Sequence, residues 1–452
     1  MTQFPTIAQF ALTPQQVPNS ALEYTATLLI DTLGIAAGAA DMDAGRIARD
    51  HAARFMQAAT PDDAAPMLFD GRMTSLTGAG FALATQIDNL DGHDGYNPTK
   101  GHIGAAVVPA LFAFAQHRPD LSGPDALRAM AMAYEIAARA AIALHATVSD
   151  YHTSGAWNAL GVAALGCHLR GLDDETLRHA FGIAEYHGPR SQMMREIANP
   201  TMLHDGSGMG AMVGIMATLM AQDGFAGAPA ITVEAPDVAA HWADLGQLWT
   251  VELNYVKPYP ICRWAHGALD ALALLMAQHD FAIGDIARIE VRTFAQSAAL
   301  YPNMPTTTSQ AQYSLAFALA TLLRFGHIAP DHISGPALSD PETAALLPMF
   351  DVIEDARHSD RFPLGRWSDV RIVLKDGLEL HSGDVHASGG PESPWTLQQV
   401  EDKFHTMTAN TLPRARTEAI WAMRSRLLDP SSRFSELANL VTPPAGMGAS
   451  NG

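Results

Sequence analysis

The sequence contains very little cysteine. Only Cys167 and Cys262 occur among its 452 residues. Two thiols are too few for the disulfide network that stabilises small secreted domains, and too few for an iron–sulfur cluster, which takes three or four cysteine ligands. The sequence therefore excludes a disulfide scaffold and a thiolate-bound cluster.

Long hydrophobic runs are also missing. No stretch of the chain reaches the roughly 18 uncharged apolar residues that a membrane helix needs. The first twenty residues lack both the basic start and the apolar core of a secretory signal. We therefore expect a soluble cytoplasmic protein with no membrane partner.

Basic residues are few compared with acidic ones. The chain has 28 lysines and arginines against 47 aspartates and glutamates, which gives a formal net charge of -19 at pH 7. A nucleic-acid partner is excluded, because phosphate neutralisation requires a basic surface that this composition does not supply. A single pocket can still be positive inside an acidic protein, so a small anionic ligand is compatible with it.

The length and the residue pattern predict two domains. A chain of 452 residues exceeds the size at which one hydrophobic core stops growing. From residue 21 to about residue 240, apolar and small residues recur three and four apart, which is typical of closely packed helices. After residue 253 the pattern changes. Apolar and polar residues alternate over 286–294, as in a strand, and 370–374 and 378–381 flank a turn at 375–377, as in a hairpin. The stretches 313–325 and 341–350 have a helical pattern.

We therefore predict a mainly α fold with a smaller α+β domain. Residues 1–254 and 396–452 are assigned to an all-helical domain, because the stretch 396–440 returns to an amphipathic helical pattern. Residues 255–395 are assigned to the α+β domain. The proline- and glycine-containing tail, 442–452, is predicted to be disordered.

A loop rich in charged side chains precedes an apolar helix between residues 88 and 109. Three glycines and a proline interrupt it, so it is not helical. Its titratable side chains are Asp88, Asp91, His93, Asp94, Lys100 and His102. They are typical of an acid/base group with a cation for an anionic substrate. The alternatives are aspartates that cap turns and the next helix, or a metal site formed by Asp91, His93, Asp94 and His102.

A second polar turn, Tyr151-His152-Thr153-Ser154-Gly155, precedes a helix of small residues. His152 would lie near the N-terminus of that helix, where the helix dipole lowers the pKa of an imidazole and leaves it neutral as a base. The alternative is a helix cap formed by Thr153 or Ser154, with His152 facing solvent.

The segment 257–266 lies at the junction of the helical and the mixed regions, and two prolines stiffen it. Its cationic side chains are those of Lys257, Arg263 and His266. On a rigid connector these would clamp carboxylates, with Arg263 offering a bidentate fork. The alternative is a proline-rich hinge with solvated charges.

A fourth polar stretch, 185–210, contributes further candidate cations, among them His204. Its run Gly206-Ser207-Gly208-Met209-Gly210 is not a dinucleotide loop, because no strand precedes it and the spacing is not GxGxxG. Close helix packing is the better explanation for these glycines.

These motifs, in this order, resemble those of the MmgE/PrpD family, which includes 2-methylcitrate dehydratase, cis-aconitate decarboxylase and iminodisuccinate epimerase. The resemblance spans most of the chain. It rests on four sequence features: the His-x-Gly that ends the acidic loop before an Ala/Val-Pro-Ala helix (102–110), the His-x-x-Gly-x-x-x-x-x-Gly turn (152–161), the glycines of 214–227, and Lys-x-Tyr-Pro followed by His and Asp (257–270).

The resemblance implies a large all-helical domain built from the N- and C-terminal parts, an α+β lid inserted between them, and a homodimer. It also implies a site between the domains that uses no metal or organic cofactor. By the family pattern, the active-site positions are Asp88, His102, His152 and Lys257. Further candidates for substrate contact are Asp91, Tyr96, Lys100, His204, Arg263 and His266.

Three departures from the family pattern predict a different substrate. The loop from 88 to 102 is longer than in the dehydratases and decarboxylases, so its residues 91–100 are expected to be particular to this branch. The lysine of a Lys-x-Leu-His motif falls at Leu203 or His204, where no lysine occurs. The expected lid tyrosine is replaced by Phe317, with Tyr313 nearby.

The resemblance and the residues together predict a lyase without a cofactor that removes water from a small hydroxy di- or tricarboxylate, as a 2-methylcitrate dehydratase does. His102 and His152 would transfer protons, one as base and one as acid. Lys257 and Arg263, helped by Lys100, would bind carboxylates, and Asp88 would orient a histidine. Decarboxylation or epimerisation of a related polycarboxylate is the alternative. A metal-dependent hydrolase using the acidic loop is the alternative of another class.

Overall fold

In the computed structural model, which describes residues 3–443, the first half of the chain is dominated by helices. They are α1 (Phe4–Leu12), α2 (Asn19–Gly38), α3 (Asp43–Phe55), α4 (Leu76–Asp88), α5 (Gly104–Ala115), α6 (Gly123–Thr147), α7 (Gly155–Arg170), α8 (Asp174–His187), α9 (Met193–Ala198), α10 (Ser207–Gln222) and α11 (Ile231–Glu234). A short antiparallel pair, β1 (Ala64–Pro66) and β2 (Met73–Ser75), lies between α3 and α4. Within 3–443, no helix combines the length and the apolar character needed to cross a bilayer. All but two residues of the predicted disordered tail lie outside the described residues.

Small residues allow the central helices to pack closely. α7 contacts α5, α6, α8 and α10. A Cβ atom on Gly161 would lie 2.7 Å from the carbonyl oxygen of Ala133, and one on Gly214 would lie 2.5 Å from Cβ of Val162. Because close-packed interiors leave no room for such an added atom, these glycines are needed for the helix contacts that their sequence pattern predicts.

The smaller part of the chain contains a mixed sheet. Its strands are β3 (Ile286–Thr293), β4 (Phe350–Glu354), β5 (Trp367–Leu374), β6 (Glu379–His381) and β7 (Val385–His386). The order is β4-β3-β5-β6, with β7 also pairing with β5. β3 and β4 are parallel, and the other pairs are antiparallel. The predicted strand at 286–294 and the hairpin around 375–377 are confirmed. β4 was not predicted, because its five residues directly follow a helical stretch.

This part of the chain also contains helices. They are α12 (His266–Gln278), α13 (Ala295–Ala298), α14 (Thr308–Gln312), α15 (Leu315–Phe325), α16 (Pro341–Leu346) and α17 (Ala356–Ser359). α12 packs on β3 and β5, and α15 packs on α12. The predicted helix 313–325 begins later than expected, because Ser314 caps α15 by accepting a hydrogen bond from the backbone nitrogen of Phe317 at 3.4 Å. The predicted mainly α fold with a smaller α+β part is confirmed.

The C-terminal helices pack against N-terminal helices. They are α18 (Leu397–Thr408), α19 (Arg414–Arg426) and α20 (Phe434–Val441). α18 and α19 pack on α2, and α20 packs on α5. Lys403 of α18 is buried, and its Nζ donates to Oδ2 of Asp31 at 2.8 Å and to the carbonyl oxygen of Gly92 at 2.7 Å. The C-terminal helices therefore support the acidic loop from behind.

Candidate active site

The acidic loop has an irregular backbone, as its glycines and proline predict. α4 ends at Asp88, and the chain then contains a single 3-10 turn, Asn97–Thr99, before α5 begins at Gly104. Asp91 and Lys100 have φ angles of 53° and 55°. Positive φ angles are uncommon for residues with a side chain and concentrate at functional sites, where surrounding contacts hold them in place.

The loop pairs with the chain just before the proline-rich segment. The nitrogen of Gly95 donates to the oxygen of Tyr255 at 3.1 Å, and the nitrogen of Tyr255 donates back at 2.7 Å. A Cβ atom on Gly95 would lie 2.3 Å from the Tyr255 hydroxyl and 2.9 Å from Nδ1 of His102. The missing side chain at Gly95 therefore allows Tyr255 and His102 to approach each other.

A small cavity of about 30 Å³, enough for a water molecule or two, lies between the acidic loop and the segment 255–266. The polar side chains that line it are those of Asp91, Lys100, His102, Tyr151, Asp205, Tyr255, Cys262, Arg263, Tyr313 and Arg366. Two larger clefts of about 720 Å³ each hold fewer buried titratable groups. Because reactive groups converge in the small cavity, we take it as the candidate active site.

His102 presents one ring nitrogen to this cavity. Its Nδ1 lies 2.6 Å from the carbonyl oxygen of Asp94, which can only accept a hydrogen bond. Nδ1 therefore carries the hydrogen, and Nε2 has the free lone pair. Burial, together with the charge of Lys257, lowers the pKa of His102 well below its ordinary value. The residue is thus a neutral imidazole whose Nε2 is unprotonated and can accept a proton.

Asp205 stands beside that nitrogen. Its Oδ2 lies 3.5 Å from Nε2 of His102 and accepts a hydrogen bond from Oγ of Ser154 at 2.9 Å. Burial and the negative charge of Asp91 raise the pKa of Asp205 to about 7. The sequence analysis did not single out Asp205, because the only local signal is its place just before the glycine-rich start of α10.

Lys257 is fully buried and pairs with Asp91. Its Nζ donates to Oδ1 of Asp91 at 2.5 Å and to the carbonyl oxygen of the same residue at 2.6 Å. Asp91 lines the cavity, whereas Lys257 lies behind it. Lys257 therefore holds Asp91 in its left-handed conformation and balances its charge.

Two buried arginines line the cavity without a carboxylate partner within 4 Å in the part of the chain that the structure describes. Arg263 donates to the carbonyl oxygens of Ala387 and Ser388 at 2.9 and 2.7 Å. Among the described residues, neither its Nε nor that of Arg366 has a hydrogen-bond partner. Burial lowers the pKa of Arg263 to about 10, so it remains a cation at neutral pH. With Lys100 beside them, the cavity suits a ligand with carboxylates.

Two family models together match most of the chain. The family model for the MmgE/PrpD N-terminal domain matches residues 6–244, and that for the MmgE/PrpD C-terminal domain matches residues 259–428. The chain belongs to the MmgE/PrpD family. Membership supports a dehydratase-, decarboxylase- or epimerase-type activity on small carboxylates. The search of curated proteins found no match. The cavity draws on both matched regions of this MmgE/PrpD chain, since His102 and Asp205 lie in the first and Arg263 and Arg366 in the second.

His152, an active-site position by the MmgE/PrpD pattern, does not line the cavity. Its ring is stacked on that of His145, with 6.5 Å between centroids, and its backbone nitrogen donates to Nε2 of His145 at 3.2 Å. Instead, the neighbouring Tyr151 lines the cavity, and Ser154 donates a hydrogen bond to Asp205. The turn thus points a tyrosine and a serine toward the site, and its histidine to the side.

Asp88, a second MmgE/PrpD position, also lies outside the cavity. Its carboxylate accepts hydrogen bonds from the nitrogen and from Oγ of Ser207 at 3.0 and 3.1 Å. Ser207 is the first residue of α10. Asp88 therefore fixes the start of α10, two residues after Asp205, whereas the capping alternative from the sequence concerned turns and the next helix, α5.

Three further residues that were predicted to contact the substrate, Tyr96, His204 and His266, support the walls of the site. The nitrogen of Tyr96 donates to the oxygen of Gly101 at 3.0 Å and closes the acidic loop. The ring of His204 lies 5.5 Å from that of Tyr313, and burial lowers the pKa of His204 to about 3. Nδ1 of His266 lies 3.5 Å from Nη1 of Arg263.

Of the predicted set, the cavity brings together Asp91, Lys100, His102 and Arg263. Sequence analysis assigned no role to Tyr151, although it begins the polar turn that was singled out, or to Tyr255, which lies two residues before the segment 257–266. It also missed Arg366, which nothing local connects to the site. Phe317 is buried within α15, and the nearby Tyr313 lines the cavity.

Part of the predicted metal site does assemble. Ligand atoms of Asp91, His93 and His102 lie within 4.8 Å of one another. His93 is completely buried, and neither ring nitrogen has a hydrogen-bond partner in the described part of the chain. Asp94, the fourth predicted ligand, accepts instead from the nitrogen of Gly104 at 3.4 Å. The ammonium of Lys257 on the Asp91 carboxylate would repel a metal cation there.

Proposed function

We propose that this MmgE/PrpD protein is a lyase, independent of a cofactor, that removes water from a small hydroxy di- or tricarboxylate. The observation that carries the proposal is the pair of buried arginines, Arg263 and Arg366, beside the neutral His102. A buried cation without a counterion is unfavourable. A ligand with several carboxylates would supply the missing charge. Asp91 does not supply it, because Lys257 already balances that residue.

His102 is the proposed base. Its Nε2 would take a proton from the carbon next to a substrate carboxylate, and the electron pair would be delocalised into that carboxylate. Arg263, Arg366 and Lys100 would stabilise the negative charge that develops there. The lowered pKa of His102 keeps the lone pair of Nε2 available at neutral pH. The carbon–oxygen bond then breaks and the hydroxyl leaves.

The cavity of about 30 Å³ is smaller than any such substrate, so its walls must separate for a substrate to enter. We propose that residues 255–395 act as a lid on an all-helical domain formed by residues 1–254 and 396–452. The contacts of α18, α19 and α20 with α2 and α5 support this division. We also propose that the protein forms a homodimer and is cytoplasmic.

Proton NMR in deuterated water tests the proposed reaction. The substrates are citrate, 2-methylcitrate, cis-aconitate, malate, tartrate and iminodisuccinate. We expect new alkene signals from at least one hydroxy acid, since loss of water creates a carbon–carbon double bond. Loss of carbon dioxide, or exchange of a carbon-bound proton without turnover, would instead favour the decarboxylase or epimerase. No change with any of the six acids would contradict the proposal.

Replacing Arg366 with glutamine should weaken substrate binding. Loss of a buried charge-assisted contact typically costs about 2 to 5 kcal/mol. We expect KM to rise and kcat to fall, because the contact binds a substrate carboxylate and also stabilises the negative charge that develops on it in the transition state. Steady-state kinetics on the substrate identified by NMR measures both constants. Arg414→Gln is the control, because that side chain is 88% exposed. An Arg366→Gln enzyme with the wild-type KM would remove Arg366 from the carboxylate site.

A metal-dependent hydrolase is the second candidate function. The observation in its favour is the convergence of Asp91, His93 and His102, with both nitrogens of His93 lacking a partner among the described residues. Metal analysis of the purified protein, with turnover measured before and after chelation, separates the two candidates. We expect chelation to leave turnover unchanged. Stoichiometric zinc or manganese together with turnover that the chelator abolishes would favour the hydrolase.

A further inference from the structure

Dehydration needs a proton donor for the departing hydroxyl, and few side chains in the cavity can serve. The hydroxyl of Tyr151 already donates to the carbonyl oxygen of Lys100. Burial raises the pKa of Tyr255 and Tyr313 above the ordinary tyrosine value and that of Cys262 to about 12. Such weak acids are poor donors at neutral pH.

We propose that Asp205 is a further catalytic residue, whose carboxylic acid protonates the departing hydroxyl after His102 has removed the carbon-bound proton. The inference rests on the proposed dehydration and adds the acid to it. Asp205 lines the same cavity as His102. The 3.5 Å between its Oδ2 and Nε2 of His102 places both groups within reach of one small substrate.

One serine fixes the positions of the acid and the base relative to each other. Oγ of Ser154 donates to Oδ2 of Asp205 at 2.9 Å and accepts from the backbone nitrogen of His102 at 3.0 Å. The nitrogen of Gly155 donates to the carbonyl oxygen of Asp205 at 2.9 Å. Asp88 anchors the helix that begins two residues later. The Asp205 carboxyl group is therefore held by side chain and backbone alike.

The surroundings favour opposite proton states on the two groups. Burial and the charge of Asp91 raise the pKa of Asp205 to about 7, and the hydrogen bond from Ser154 and the charge of Lys257 only partly offset this. Burial lowers the pKa of His102. The two shifts therefore favour a protonated Asp205 next to an unprotonated Nε2 of His102. Environments that separate two pKa values in this way assign one group as acid and the other as base.

The proton balance of the reaction is complete within this pair. Nε2 of His102 gains the proton from the substrate carbon, and the electron pair of the broken C–H bond forms the C=C bond. The C–O bond breaks, and the hydroxyl leaves as water with the proton of Asp205. An imidazolium and a carboxylate then stand side by side. Transfer of the Nε2 proton to Oδ2 restores the starting state without any other acid.

Asp205→Asn tests the assignment. The amide is close in shape, and its oxygen can still accept the hydrogen bond of Ser154, but the group has no acidic proton. In deuterated water with the panel above, we expect water release to fall by about 10² to 10⁴-fold. Exchange of the carbon-bound proton should continue, because His102 is intact. His102→Asn should abolish exchange as well as water release. Asp173→Asn, at the exposed N-cap of α8, is the matched control.

Each outcome decides one question. An Asp205→Asn enzyme that releases water at the wild-type rate overturns the role of Asp205 and leaves the proposed function intact. A folded variant that loses exchange along with water release also overturns it, since Asp205 would then serve the base. Thermal unfolding verifies the fold, and we expect no loss of Tm, because asparagine buries no ionisable group. A wild-type enzyme that neither exchanges nor dehydrates any of the acids contradicts the proposed function itself.

Discussion

Replacing His102 with asparagine should lower kcat by about 10² to 10⁴-fold and leave the fold intact. The amide nitrogen of asparagine can take the place of Nδ1 and donate to the carbonyl oxygen of Asp94, as the ring does at 2.6 Å. The variant has no atom in the place of Nε2, so it has no base. Steady-state kinetics and deuterium exchange into the substrate would measure the loss.

The control for this substitution is His381→Asn, because His381 is exposed on β6. We expect it to keep the wild-type kcat. Both variants should unfold at the wild-type temperature, which would separate an effect on chemistry from an effect on folding. A His102→Asn enzyme that turns over at the wild-type rate would remove His102 from the mechanism.

The second large effect concerns stability. Lys257→Met should lower the free energy of unfolding by about 3 to 5 kcal/mol, since removal of one partner leaves the other charge buried and unpaired. Asp91 is 5% exposed and Lys257 is 0% exposed, so bulk water does not solvate the carboxylate in place of the lost ammonium. Urea denaturation followed by circular dichroism measures the change, and activity should fall with it because Asp91 lines the cavity.

A double variant gives the sharper test. Asp91→Asn combined with Lys257→Met leaves no unpaired charge, so we expect it to be more stable than Lys257→Met alone. Lys375→Met is the control at an exposed lysine, with an expected change within about 0.5 kcal/mol. If the double variant were less stable than Lys257→Met, an unpaired Asp91 would not be the cause of the loss.

Patterns among neighbouring residues predicted the structural features that depend only on neighbouring residues. Helical periodicity predicted the N-terminal helices, and alternation predicted β3 and the β5–β6 hairpin, because both patterns are set by the geometry of the backbone itself. Gly95 and Gly101 predicted a loop for the same reason. The loop conformation then brought His102 into the cavity, where the sequence placed it.

The remaining site residues depend on contacts between distant parts of the chain. Arg366 reaches the cavity from just before β5, and Asp205 from just before α10. No spacing in the sequence connects either to His102. His152 illustrates the converse problem: its motif matches the family, but within the turn Tyr151 lines the cavity and His152 does not. A family pattern locates a turn without saying which of its side chains faces the ligand.

The ion pair between Asp31 and Lys403 has a consequence for biosynthesis. Its partners are 372 residues apart in sequence, and Lys403 also holds the carbonyl oxygen of Gly92 in the acidic loop. Ribosomes make the N-terminal helices first, and domains generally fold as units during synthesis. Until α18 emerges, Asp31 has no ammonium to pair with and the acidic loop has no support behind it. The nascent chain therefore completes its candidate active site only after α18 has been made.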